Sequence, residues 1–111
     1  MSLYADYLRE RGHKEIFEEE YGFCMYHLIE AGLFVEDLYI DPEHREQGKA
    51  VAMMRKMDDI ALVNDKNKVF TQVVPGFKGS EHSLGILLHD GFKLDSADKN
   101  FIYLYKELTN D

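Results

Sequence analysis

The period of the apolar positions changes several times along the chain, and each change marks an element. Residues 2 to 11 carry Leu3, Tyr7 and Leu8 at helical spacing, with Ser2 placed to cap the helix and Gly12 to end it. His13 to Glu20 is ambiguous. Lys14 to Glu19 fits a short edge strand or more helix, and Glu18 to Glu20 read as a wet edge or turn. Tyr21 to Ile29 is apolar on both faces apart from His27, which predicts a strand. A turn at Glu30-Ala31-Gly32 then returns the chain along Leu33 to Ile40 as an antiparallel hairpin.

Beyond Asp41-Pro42 a polar loop, Glu43 to Gly48, opens a helix predicted from about Glu46 to Val63. Ala50, Met53, Met54, Met57, Ile60 and Ala61 form its apolar stripe, and methionines at this spacing read as core filler. Asn64 to Asn67 is a turn. Lys68 to Val74 is a β-branched strand stopped by Pro75-Gly76. Ser80 is placed to cap a helix with Leu84, Leu87 and Leu88 on one face, ended by Gly91. A last hairpin follows, with strands Phe92 to Asp95 and Asn100 to Glu107 around a polar turn. Strand, helix, strand across residues 33 to 74 implies a right-handed parallel crossover, hence a mixed α/β sheet in a single domain over 1–111.

Composition narrows the partners. Apolar residues make up 45% of the 111 and charged residues 31%, the mix of a globular protein. No apolar run reaches about 18 residues, so no membrane span is expected. The start, MSLYADYLRERGHKE, has no apolar segment or cleavage-like site, so no secretory signal is visible. Cys24 is a lone cysteine without an internal partner, which suits a cytoplasmic protein. A net charge of −8 argues against nucleic acid and is compatible with a cationic amine, although such charge also serves plain solubility. The five histidines show no metal-ligand spacing, so no metal is expected, and His82 and His89 read as solvent-facing. Cys24, mid-strand, reads as a small buried residue.

Candidate chemistry concentrates in residues 33 to 62. A strand, a glycine-bearing turn and a helix present unpaired backbone N–H groups at a helix N-terminus, which suits phosphate. The dinucleotide fingerprint does not fit, because it needs two more glycines. A P-loop does not fit either: Glu43 stands at its first Gly, and Ala50 replaces the residue that holds magnesium.

The segment Asp37-Leu38-Tyr39-Ile40-Asp41-Pro42-Glu43-His44-Arg45-Glu46-Gln47-Gly48-Lys49-Ala50 resembles the core motif of the GNAT superfamily of acetyl-CoA-dependent N-acetyltransferases. Its loop reads Arg45-x-x-Gly48-x-Ala50, against Arg/Gln-x-x-Gly-x-Gly/Ala in the family. Ile86-Leu87-Leu88-His89-Asp90-Gly91-Phe92-Lys93 and the closing Tyr103 to Leu108 resemble the family's later segments. The resemblance covers about residues 21 to 108. It implies a GNAT fold, with a mostly antiparallel mixed sheet of five to six strands flanked by helices, whose strands 33 to 40 and 68 to 74 splay near Ile40 and Val74. It also implies acetyl-CoA as co-substrate and an amine-bearing small molecule or peptide as acceptor, and it admits a homodimer.

By the same resemblance, the backbone of Leu38, Tyr39 and Ile40 would pair with the pantetheine arm. The amides of Glu46, Gln47, Gly48, Lys49 and Ala50 would hold the pyrophosphate, with Arg45 and Lys49 adding charge and Ser80 contributing to the cofactor site. Glu36 is the candidate base: it shares parity with Phe34, Leu38 and Ile40, so apolar surroundings are expected around it. Some polyamine-acetylating members carry a Glu-Asp pair here, as in Glu36-Asp37; the alternative is a half-exposed strand carboxylate. Two departures favour a non-catalytic interaction protein as the rival reading. The family's first strand and most of the helical region after it have no counterpart, and Leu87 stands where many members have a tyrosine acid. Tyr103 or Tyr105 could replace that acid, although alternating aromatics on a last strand also read as packing.

Overall fold

The computed structural model describes residues 3–12, 14–76 and 80–109, without the side chains of residues 4, 5, 7, 8, 11 and 80. The order is α1 (Leu3–Gly12), β1 (Glu15–Glu19), β2 (Gly22–Ile29), β3 (Gly32–Ile40), α2 (Lys49–Val63), β4 (Lys68–Val73), α3 (Ser80–His89), β5 (Lys93–Ala97) and β6 (Ile102–Glu107). A single 3-10 turn, Pro42–His44, follows β3. The strands form one six-stranded sheet in the order β1-β2-β3-β4-β6-β5. Among the described strands β3 and β4 are the parallel pair, and the other neighbours run antiparallel.

The ambiguous stretch before Glu20 is therefore a strand, held at the sheet edge by pairing with β2 from Glu15↔Tyr26 to Glu19↔Gly22. Ser2, expected as a cap, lies outside the described residues, as do the Tyr7 and Leu8 side chains; Leu3 is exposed. β5 runs two residues further than expected, to Ala97, and Asp98 then closes the turn with its carboxylate accepting from Asn100 N and Phe101 N.

The core lies between α2 and the sheet. Met53, Met54, Met57 and Ala61 of α2 meet Cys24, Leu33, Val35, Val69, Val73 and Leu104, so the methionines are core residues. Leu84 and Leu87 of α3 pack on the same cluster while Leu88 is exposed. Fully burying one such side chain is worth about 1.5–3 kcal/mol. Gly91 ends α3 at φ 103°, with Phe92 N donating to Leu87 O at 3.0 Å, a turn closed by a left-handed glycine. Among the described residues no helix is long and apolar enough to cross a membrane.

One irregularity governs the site. The register of β2 against β3 slips between Met25 and Tyr26: Met25 pairs with Asp37 but Tyr26 with Val35, which leaves Glu36 as the extra residue of a β-bulge. Leu33 and Val35 face the core before the bulge, and Leu38 and Ile40 face it afterwards. The expected shared parity of Glu36 with Leu38 and Ile40 therefore fails, because a bulge shifts the alternation by one residue.

Candidate functional site

β3 and β4 stay paired only at their starts. Leu33↔Val69 and Phe34↔Phe70 are in register, and among the described residues no ladder pair follows. The strands part from Val35 and Thr71 onward, several residues before the splay expected near Ile40 and Val74, because the bulge at Glu36 bends β3 away. At the apex the Thr71 hydroxyl donates to Val35 O at 3.5 Å, and Thr71 is buried.

The opening is a cavity of about 330 Å³ whose walls include Glu36, Asp37, Met54, Thr71, Gln72 and Leu87. A second space of about 660 Å³ lies along Tyr39, His44, Arg45, Gly48, Lys49 and His82. Leu38, Ala50, Ser83 and Ile86 wall both, so the two form one cleft from the strand gap to the start of α2.

Local chemistry explains the loop end of this cleft. Asp41 caps the 3-10 turn, its carboxylate accepting from Glu43 N at 3.2 Å. The backbone then enters the left-handed region twice, at Glu46 (φ 63°) and Gly48 (φ 74°). That delays the helix to Lys49, three residues after the expected start at Glu46. Gly48 is the N-cap and supplies no side chain to the first helical N–H groups, while Ala52 N closes the first turn onto Gly48 O at 3.0 Å. The N-terminal amides of α2 thus remain donors with a positive dipole end behind them. A Cβ on Gly48 would meet nothing within 4 Å among the described residues, so a ligand has room against the backbone. Arg45 is anchored beside it, with Nε donating to Ile40 O at 2.9 Å and the guanidinium 5.6 Å from the Tyr39 ring centroid. Lys49 lies over Tyr21 at 5.0 Å. This combination of open amides, two cations and clearance fits a phosphate-bearing ligand.

Leu38, Tyr39, Ile40, Arg45, Glu46, Gly48, Lys49 and Ala50 all line the cleft, as does Glu36. Gln47 does not: it is exposed, its amide donating to Glu43 O at 3.2 Å. Ser80 opens α3, and its side chain lies outside the described residues. Tyr103 lines neither part of the cleft; it pairs with Gln72, which does, and its ring lies 5.8 Å from Phe101. His82, read as solvent-facing, is exposed and also lines the cleft, as does His44.

Glu36 is not in apolar surroundings. Lys14 Nζ stands 2.8 Å from Oε2, and His27 Nδ1 stands 3.3 Å from Oε1. Sequence reasoning missed both partners, because they come from before β1 and from β2. It also missed Thr71 and Ser83. Thr71 carried a signal, being a hydroxyl at the buried parity of β4 between Val69 and Val73. Cys24 is fully buried and burial pushes its thiol up to about 12, so it is inert as a nucleophile. Among the described residues no cluster suits a metal ion.

No protein-family model matches the chain, and no curated protein matches it by sequence. Solved structures do match in fold. The chain is similar to PaiA N-acetyltransferase from Thermoplasma acidophilum, solved in complex with coenzyme A, at 16% identity and TM-score 0.70; the match covers 78% of this chain and 53% of that one. It is similar to Ard1 from Thermoplasma volcanium at 13% identity and TM-score 0.74, covering 97% and 79%. A GNAT family acetyltransferase from Elizabethkingia anophelis with acetyl-CoA bound matches at 12% identity and TM-score 0.70, covering 86% and 76%. The chain therefore has the GNAT fold, and it spans just over half the length of the PaiA protein.

Proposed function

We propose that the protein is an acetyl-CoA-dependent N-acetyltransferase that acts on a primary amine of a small molecule or peptide. One observation carries this: the parallel strands β3 and β4 part after Phe34 and Phe70, and their gap runs on to the uncapped start of α2 at Gly48. A long thioester with a phosphate-bearing end matches a slot of that shape, open β-edge at one end and helix amides at the other. The solved PaiA neighbour holds coenzyme A and the Elizabethkingia neighbour holds acetyl-CoA, which supports the reading.

In this reading the amides from Glu46 to Ala50, with Arg45 and Lys49, hold the diphosphate, and the β3 edge at Leu38 to Ile40 takes the pantetheine amides. Acetyl-CoA supplies the activated acyl group. Glu36 takes the proton of the incoming ammonium, so that the nitrogen lone pair is free to attack. Tyr103, outside the cleft lining but paired on β6 with Gln72 of the cleft wall, is the candidate donor to the departing sulfur. Acceptor identity follows from the other side of the strand gap, where Glu36 and Asp37 offer negative charge to a cation.

A second reading, a GNAT-fold interaction protein without catalysis, is favoured by Leu87, which lines the cleft and has no proton to give. Thermal unfolding with and without excess coenzyme A tests the binding step. The natural protein is expected to gain stability. Gly48→Val should lose that gain, because a β-branched residue does not hold φ 74° and its side chain fills the space above the amides. Arg45→Ala should lose only part of it, since the amide cradle remains. No shift in the natural protein would favour the second reading.

A further inference from the structure

The proposed base already holds an amine, and it belongs to the protein itself. Lys14, just before β1, sets its ammonium 2.8 Å from Glu36 Oε2, and both side chains keep partial exposure, 38% and 23%. Of the other described lysines, Lys56, Lys93 and Lys99 are exposed and line neither part of the cleft, and four more have contacts elsewhere. Lys106 is enclosed between Asp58 and Asp90, Lys49 and Lys68 lie over tyrosine rings, and Lys66 donates to Glu30 O. Among the described residues, Lys14 is the lysine paired with a carboxylate of the cleft wall.

Resting on the acetyl-transfer reading, we propose that Lys14 is a self-acetylation site, modified within one molecule from the acetyl thioester in the cleft. A primary ammonium against the base is in the position an external acceptor would occupy. The lysine stem has four rotatable methylenes with which to cross from Glu36 to the acyl carbon. Holding both partners on one chain makes the step unimolecular. One ammonium proton passes to Glu36, and the nitrogen lone pair forms the C–N bond as the C–S bond breaks. A second nitrogen proton ends on the departing sulfur, and Glu36 releases its own to water. The products are an acetylated Lys14 and free coenzyme A. Acetylation removes the lysine charge, so Glu36 loses that partner and keeps His27 at 3.3 Å. Self-modification would thereby clear the base for an external amine.

The test is to incubate the whole protein with acetyl-CoA and follow acetylation of each lysine by peptide mass spectrometry. Lys14 should be marked ahead of the exposed Lys93 and Lys99, at a first-order rate that does not change with protein concentration. Glu36→Gln should slow the mark by roughly a hundredfold while the coenzyme A thermal shift persists. Lys14→Arg should keep a cation on Glu36 and lose the mark. The proposal is overturned if Lys14 stays unmodified in a protein that coenzyme A stabilises, or is marked no faster than Lys93. It is overturned equally if Gly48→Val is marked as fast, which would be chemical acetylation, or if the rate rises with protein concentration. A thermal shift and turnover of external amines without a mark on Lys14 would overturn self-acetylation alone. No thermal shift and no mark would take the acetyl-transfer reading down with it.

Discussion

Lys106 and Lys14 each meet a carboxylate at close range, 2.7 Å to Asp58 and 2.8 Å to Glu36, but one contact is enclosed and the other is open. Lys106 on β6 is 11% exposed. It bridges Asp58 of α2 and Asp90, which is 5% exposed in the turn after α3, and it lies 5.1 Å from the Phe92 ring centroid. Three separate elements are thus joined by one ammonium. Lys14 ties the approach to β1 to the bulge in β3, with water able to replace either partner. The same ion pair is structural where desolvation makes its loss costly, and available for chemistry where it does not.

The largest effect should come from breaking the enclosed cluster. Lys106→Met keeps length and apolar stem but, among the described residues, leaves Asp58 and Asp90 with Arg55, 3.4 Å from Asp90 and itself largely exposed, as the remaining ion-pair partner. Removing one partner of a buried pair costs about 3–5 kcal/mol, and a loss in that range is expected from urea unfolding. A loss below about 1 kcal/mol would erase the contrast between the two clusters.

A smaller effect sharpens the contrast by pH. Burial pushes the Asp58 carboxyl above its ordinary value of 3.8, with the Lys106 contact opposing that rise. Its Oδ1 is buried without a hydrogen-bond partner among the described residues, which fits a carboxylate that is incompletely solvated. Between the ordinary value and the raised one, the folded protein binds more protons than the unfolded chain. Asp58 therefore contributes stability that is fully present below 3.8 and is lost as pH rises through the raised value. Asparagine does not titrate. The stability of the natural protein relative to Asp58→Asn is expected to grow as pH falls from neutral toward the ordinary carboxyl range, measured by urea unfolding at each pH. A difference independent of pH would remove the burial argument.

Much of this arrangement was legible in the sequence, and the part that was not has a common cause. Strand and helix periods located every long element, and the Asp41-to-Ala50 segment located the loop end of the cleft. Those signals are local: Gly48 at φ 74° and the methionine stripe of α2 follow from neighbours within a few residues. The bulge at Glu36 was invisible because an adjacent Glu36-Asp37 pair within an otherwise apolar Leu33 to Ile40 is equally consistent with an unbroken strand. Only the pairing of Tyr26 with Val35 reveals the extra residue. The partners of Glu36 were invisible for the same reason, since Lys14 and His27 reach it through sheet register and not through sequence spacing. Lys106 falls in the strand expected over Asn100 to Glu107, and nothing in its local spacing shows that Asp58 of α2 and Asp90 reach it.

The smallest expected effect lies at the open cluster, and its smallness is the point. Lys14→Met removes the ammonium from Glu36 but leaves that carboxylate 23% exposed and still 3.3 Å from His27. Water solvates what the lysine leaves, so the desolvation penalty that dominates at Lys106 has no counterpart. Exposed ion pairs contribute about 0–1 kcal/mol, and the remainder is screened at physiological salt. Unfolding stability should therefore change by less than about 1 kcal/mol, with little dependence on added sodium chloride. A larger loss would make Lys14 a second structural tie, rigidly held on Glu36 and unsuited to leave it for an acyl carbon. A loss within the expected range leaves the ammonium free to move, which is the property that separates it from Lys106.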